Sequence, residues 1–211
     1  YFNTVLYTGN GSTQTISGVG FQPDWTWIKC RSDADNHSLQ DSVRGANKHL
    51  RSDSTLAETE SGTVHISSWN SDGFALGSGD GQTNASSRTY ASWNWKAGTA
   101  FSNDAGANGA SLASSGSKND TAGFSIVSYT GDESGNDTIF HGLSQTPDVI
   151  IAKSRASADN WGFFHSSFSS QEYMFLNSTS AKASASSVWN ALPSSTVFTV
   201  GDNAAVNDNG A

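Results

Sequence analysis

An all-β chain is predicted, built as two tandem antiparallel β-sandwich repeats of jelly-roll or lectin-like type, and three observations predict it. Short runs of alternating apolar and polar residues, rich in β-branched and aromatic side chains, are separated by turns of Gly, Ser, Asn and Asp. No window sustains a helical stripe. The stretch GVGFQPDWTWIKCR (18–31) returns as GLSQTPDVIIAKSR (142–155), and the pair uses two of the chain's three prolines.

The repeat sets the order of elements. Pro23, Lys29 and Arg31 match Pro147, Lys153 and Arg155 at an offset of 124. Upstream, FNTVLYTGNGS (2–12) faces FSIVSYTGDES (124–134) at an offset of 122, and downstream FALG (74–77) faces FTVG (198–201) at 124. Small changes of offset belong in turns, where insertions are tolerated. Asn84 is placed opposite Asn207 if the second copy loses one residue.

Strands are predicted at 2–8, 24–31, 63–69, 73–77 and 88–96 in the first copy. The second copy gives 123–130, 137–141, 148–154, 161–165, 172–177 and 196–200. Pro23 has no amide hydrogen and therefore starts its strand rather than sitting inside it, which puts Asp24 at the rim. The domain reading is repeat 1 over 1–96, a Gly/Ala/Ser/Asn-rich linker over 97–121, and repeat 2 over 122–211. The competing arrangement is one larger lectin-like sandwich made from both repeats, with GASLAS (109–114) pairing at its edge. Repeat 2 lacks a counterpart of the aromatic strand TYASWNW (89–95), so either further chain or strand addition from a neighbour is expected to supply it.

Composition narrows the function. Eleven scattered basic residues and a net charge of −8 argue against nucleic acid. No apolar run approaches the roughly 20 residues of a membrane helix. Cys30 is the only cysteine, so neither an internal disulfide nor a Cys-rich zinc site is available. Five histidines show no metal-binding spacing, and no cofactor or metal is expected. Oxygen-rich turns at DADN (33–36) and NSDGFALGSGDG (70–81) invite a calcium reading, but Asp-Gly is also hairpin-turn chemistry, and the turn reading is preferred. GSGDG fails the nucleophile-elbow pattern, and no carboxylate pair stands out among nineteen acids.

Tryptophan is the remaining signal. Trp25 with Trp27, and Trp93 with Trp95, share one face of a strand. Core packing is the preferred reading of these pairs and a sugar-stacking platform the alternative. If the chain binds glycans, Trp69, Trp161 and Trp189 on exposed loops are the candidate ligand-binding residues.

The motifs YTGNGSTQTISGVGFQPDWTWIK, SDGFALG, TYASWNW, TAGFSIVSYTG and HGLSQTPDVIIAKSR together resemble the repeated β-rich modules of marine phage (cyanophage-type) virion and tail-fibre-like structural proteins. That resemblance spans nearly the whole chain. It implies a non-enzymatic decoration, fibre or attachment module at a virion surface or outside cells, with copies of itself or neighbouring virion proteins as partners. It carries no catalytic residue. The alternatives are a carbohydrate-binding module recognising cell-surface glycans, and a glycan hydrolase or lyase on a lectin-like sandwich.

Overall fold

The computed structural model describes residues 1–60, 62, 64–78 and 80–210. The chain is all-β, with antiparallel ladders throughout its named strands and one short helical turn. It divides into two compact units, Tyr1–Ser52 with Glu58–Gly98, and Asp53–Ala57 with Thr99–Ala211. Each unit has its own core.

The first unit contains β1 (Phe2–Thr8), β2 (Gln14–Ser17), β3 (Trp25–Cys30), β4 (Ser38–Asp41), β5 (Lys48–His49), β6 (Thr59–Glu60), β7 (Ile66–Asn70), β8 (Gly73–Leu76) and β9 (Thr89–Trp95). One sheet runs β1-β9-β3-β4, a second β2-β8-β7, and β5 pairs with β6. Ile28, Cys30 and Tyr90 from the first sheet meet Ile16, Ile66, Phe74 and Leu76 from the second, with Val5 and Tyr7 packed alongside. This is the two-layer arrangement that alternating strands allow when each sheet buries one face. The start of the strand expected over 63–69 falls on Thr63, outside the described residues.

In the second unit the strands are β10 (Thr99–Asn103), β11 (Ser114–Asn119), β12 (Phe124–Tyr129), β13 (Asp137–Phe140), β14 (Val149–Ala152), β15 (Gly162–His165), β16 (Glu172–Phe175), β17 (Ala183–Ser184) and β18 (Val197–Val200), followed by the helical turn α1 (Ala204–Asn207). They form the sheets β10-β11-β12, β14-β15-β16-β17 and β13-β18. Ile139, Phe164, Val188, Trp189, Phe198, Val200, Ala205 and Val206 make the core.

Two expectations need correction. The segment 97–121 carries β10 and β11, which extend the β12 sheet, where a linker was expected. Its strands escape a search for β-branched residues because β11 buries small groups, Ser114, Gly116 and Ser117, rather than large apolar ones. Residues 53–57 group with the second unit, not with repeat 1. There the Ser54 carbonyl accepts a hydrogen bond from Trp161 Nε1 at 3.1 Å.

The ladders recur in register. Ile16 pairs with Phe74 as Ile139 pairs with Phe198, and Lys48–Glu60 and His49–Thr59 are repeated as Glu172–Ser184 and Tyr173–Ala183. One asparagine ties each unit together. Asn84 donates to the carbonyls of Ser12 and Gly77 and accepts from Asn10 N at 3.1 Å. Asn207 donates to the carbonyls of Ser134 at 2.7 Å and Gly201 at 3.0 Å, and accepts from Asp132 N at 3.2 Å. Beside these, Tyr7 Oη donates to the Thr83 carbonyl at 2.7 Å and Tyr129 Oη to that of Val206. Gly9 and Gly131 are required where the chain passes this asparagine, because a Cβ on either would run into the backbone at 84–85 or 207–208.

Candidate functional site

The sheet β1-β9-β3-β4 puts Thr26, Ile28 and Cys30 of β3, and Tyr90, Ser92 and Asn94 of β9, on its buried face. Strict alternation then sends Trp25, Trp27, Trp93 and Trp95 to the opposite face, where all four are half-buried. The expectation that these tryptophans fill the core is therefore reversed. Small polar groups occupy the inside because they satisfy one another. Thr26 Oγ1 donates to Asn94 Oδ1 at 3.0 Å, and Asn94 Nδ2 donates to Ser92 Oγ at 3.1 Å and to the Asn3 carbonyl at 3.2 Å. A buried polar group whose partners are present costs little, so the alternation can invert.

Residues paired across antiparallel strands lie on the same face, so the registers give the outer surface row by row. Phe2, Trp95 and Trp25 form one row, and Thr4, Trp93 and Trp27 the next. Ring centroids are 4.8 Å apart for Phe2–Trp95, 4.5 Å for Trp25–Trp95, 5.9 Å for Trp25–Trp27 and 6.3 Å for Trp27–Trp93. Five rings thus make a continuous aromatic face, with Phe2 53% exposed at its margin. His37 borders it, its Nδ1 accepting from Trp27 Nε1 at 2.8 Å, which fixes the orientation of that indole.

The tryptophans singled out for glycan binding are placed elsewhere. Trp189 is 2% exposed and Trp161 4%, both inside the second unit. Trp189 Nε1 donates to the Phe163 carbonyl at 3.3 Å. Trp69 is half-buried against the first core, and its Nε1 has no hydrogen-bond partner. Trp69 belongs to the first unit and Trp161 and Trp189 to the second, and their rings serve packing rather than an exposed loop site. Alternation in WTW and WNW identified the surface rings but not which face was dry.

A second cluster was not visible from sequence spacing. His49 and His65, sixteen positions apart in sequence, lie with ring centroids 3.9 Å apart and planes tilted by 37° in the interior of the first unit. His49 Nδ1 lies 2.7 Å from Thr59 Oγ1 and its Nε2 3.2 Å from Gln82 Oε1. His65 Nδ1 lies 3.7 Å from Asp80 Oδ1. Burial, reinforced by the neighbouring His65, pushes the His49 pKa down to about 3. Burial also lowers that of His65, against the pull of Asp80. Both rings are neutral at pH 7.

The oxygen-rich turns are held by protein groups. Asp33 and Asp35 are both paired with Arg88. Asp72 accepts from the amides of Gly18 at 3.0 Å and Gly20 at 2.6 Å, bonds that lower its pKa. Asp80 accepts from Gln82 N at 2.9 Å. Gly79, within the second turn, lies outside the described residues. Among the described residues no group of three His, Cys, Asp or Glu side chains is gathered as a metal site. Asp24, expected at the rim, is instead buried, its carboxylate accepting from Ser42 Oγ at 2.8 Å and Ala97 N at 2.9 Å. The repeated lysines brace the loops after their strands. Lys29 Nζ donates to the Asp35 carbonyl at 2.7 Å and Lys153 Nζ to that of Ser157 at 2.9 Å.

Among the described residues no helix is long and apolar enough to cross a membrane. No curated protein and no solved structure matches the chain. A family model does match, over residues 1–211, and the chain belongs to the family it describes, Domain of unknown function (DUF7483).

Proposed function

We propose that the chain is a non-enzymatic attachment module of virion-surface type, in which the outer aromatic face of the first unit binds cell-surface glycans. The observation that carries this reading is the continuous cluster of Phe2, Trp95, Trp25, Trp27 and Trp93 on the side of the sheet opposite its buried face. A contiguous apolar surface of this kind is unfavourable in water and marks a place that binds something. Sugar rings suit it, since they offer flat C–H faces to aromatic rings and hydroxyls to a polar margin. A non-enzymatic role is supported by the state of the titratable groups. His49 and His65 lie buried, Asp33 and Asp35 are tied to Arg88, and Asp41 and Glu58 are tied to Arg44.

The test is a glycan array followed by calorimetry on the best ligand. W27A and W93A are each expected to weaken binding at least tenfold, about 1.4 kcal/mol or more. Trp69→Phe should leave affinity unchanged. An array with no signal, or affinity indifferent to W27A and W93A, removes the reading.

A further inference from the structure

Along β3 the outward places are Trp25, Trp27 and Lys29, and the next in line is Arg31. The Arg31 amide donates to the Thr89 carbonyl at 2.7 Å, so the ladder with β9 continues one step past the strand and keeps the alternation. Two rings are thus followed on one side of one strand by two cations. At about 3.4 Å per residue, Lys29 stands about 7 Å and Arg31 about 14 Å along the strand from Trp27.

The registers carry the face past its aromatic rows. Leu6, Ala91 and Lys29 form the third row, and Thr8, Thr89 and Arg31 the fourth. Leu6 is 61% exposed, and Thr8 and Arg31 are exposed as well. The outward places of β1, β9 and β3 hold apolar residues, threonines and these two bases, and no acid. In a chain with 19 acids against 11 bases, that is a local reversal of charge.

The two bases also differ from the other cations of the first unit in what holds them. Arg44 is paired with Asp41 and Glu58, and Arg88 with Asp33 and Asp35. Lys29 Nζ donates to the Asp35 carbonyl, a neutral acceptor that leaves its charge uncompensated. The Arg31 guanidinium has no ion pair or hydrogen bond among the described residues. Even with the Arg88 group counted, three bases meet two acids at this end of the sheet. A guanidinium presents a planar fork of donors that matches a carboxylate or a sulfate.

We infer that the ligand of the aromatic face is an acidic glycan: one sugar ring packs against Trp27 and Trp93, and a carboxylate or sulfate further along β3 is taken by Arg31 beside Lys29. This rests on the reading of that face as a glycan site and adds the charge that selects among glycans. The rings accept any sugar with an apolar face, whereas the cations favour the charged one. Because the chain as a whole is at −8, the selection acts at short range, through contact with Arg31 rather than through the field of the whole protein.

Calorimetry on the full chain compares three pairs of soluble sugars: sialyllactose with lactose, tetragalacturonate with its methyl ester, and a sulfated galactan tetrasaccharide with its desulfated form. In at least one pair the acidic member is expected to bind about tenfold more tightly or better, with a gap that narrows as salt is added. Which pair shows the gap tells carboxylate from sulfate. Arg31→Gln should close the gap to less than about threefold without lowering the midpoint of thermal denaturation, whereas W27A should weaken both members. Equal binding of the two members in every pair, no binding of any acidic member up to about 1 mM, or a gap that survives R31Q overturns the inference. A neutral array ligand that depends on Trp27 and Trp93 would then leave the glycan reading standing, and a blank array would remove both.

Discussion

The two units lay the same ladders over different interiors. Where the first unit has Gln40, His49, His65, Gln82 and Thr83, the second has Phe164, Tyr173, Val188, Ala205 and Val206 at the matching places. In the first, Gln40 receives Ile66 N at 2.8 Å and donates to the Ile66 carbonyl at 3.3 Å, and the two histidine rings lie against each other at 3.9 Å. In the second, Phe164 packs edge-on against Trp189, which stands where Ile66 does. These matching places, polar in one copy and apolar in the other beside an apolar core in each, do not specify the fold. What both copies keep is the asparagine clamp, the glycine that passes it, and the pairing of Ile16 or Ile139 with a phenylalanine.

That division predicts where damage is greatest. Asn84→Ala and Asn207→Ala each strand one buried carbonyl, that of Gly77 or Gly201, and two partly buried backbone groups, which costs about 2–4 kcal/mol at about 1–3 kcal/mol for a buried unsatisfied group and less for the others. Loss of hydrogen-exchange protection should be confined to the first unit for N84A and to the second for N207A. If either substitution is tolerated within about 1 kcal/mol, the clamp is not what the units share.

Much of this shared frame was legible in the sequence, because the conserved grammar of Pro23 and Pro147, Lys29 and Lys153, and FALG and FTVG survives at a fixed offset. Strands with strong alternation, such as β1, β3, β9 and β12, were found for the same reason. The strand β4 was missed because SLQD carries little apolar signal, although all four of its residues are buried. Applying the repeat offset to the strand expected at 161–165 would have found it. The aromatic face was misassigned for a different reason. Alternation shows that Trp25 and Trp27 share a side, but only three-dimensional pairing reveals that Thr26, Ser92 and Asn94 satisfy each other inside. The close approach of His49 and His65 depends on long-range pairing, which no local spacing records.

The polar interior makes the first unit the more acid-sensitive of the two. A histidine held neutral when folded and free to protonate when unfolded favours the unfolded state below its ordinary pKa of about 6.5. Stability is therefore intact at neutral pH and falls as pH drops from about 6.5 toward the folded value of about 3 for His49. The slope is about 1.4 kcal/mol per pH unit for one such group, so His49 alone costs about 2 kcal/mol by pH 5. Burial lowers the His141 pKa in the second unit as well, so that unit also weakens in acid, but through one such histidine rather than an adjacent pair. Denaturant titrations at pH 7 and pH 5 should show the larger loss in the first unit. The double variant His49→Tyr with His65→Val, which imports the second unit's residues, should shrink that loss. An unchanged pH response in the variant would show that other groups set it.

The finest contrast lies in a turn where the copies share a backbone shape but not a residue. Gly11 and Glu133 both adopt left-handed backbone angles, with φ of 74° and 59°, and their amides donate to the carbonyls of Asn84 and Asn207. Glycine enters this region freely, whereas a residue with a Cβ is held there at about 1 kcal/mol. Glu133 is exposed and its strain comes from the backbone alone, so Glu133→Gly should stabilise the second unit by about 0.5–1 kcal/mol. The reverse change, Gly11→Glu, meets a further obstacle, since its Cβ would approach Ser86 Cβ to 3.2 Å. It should therefore destabilise the first unit by more than the first change gains. Equal and opposite shifts in thermal denaturation would mean that backbone strain alone separates the two turns and that the Ser86 contact yields without cost.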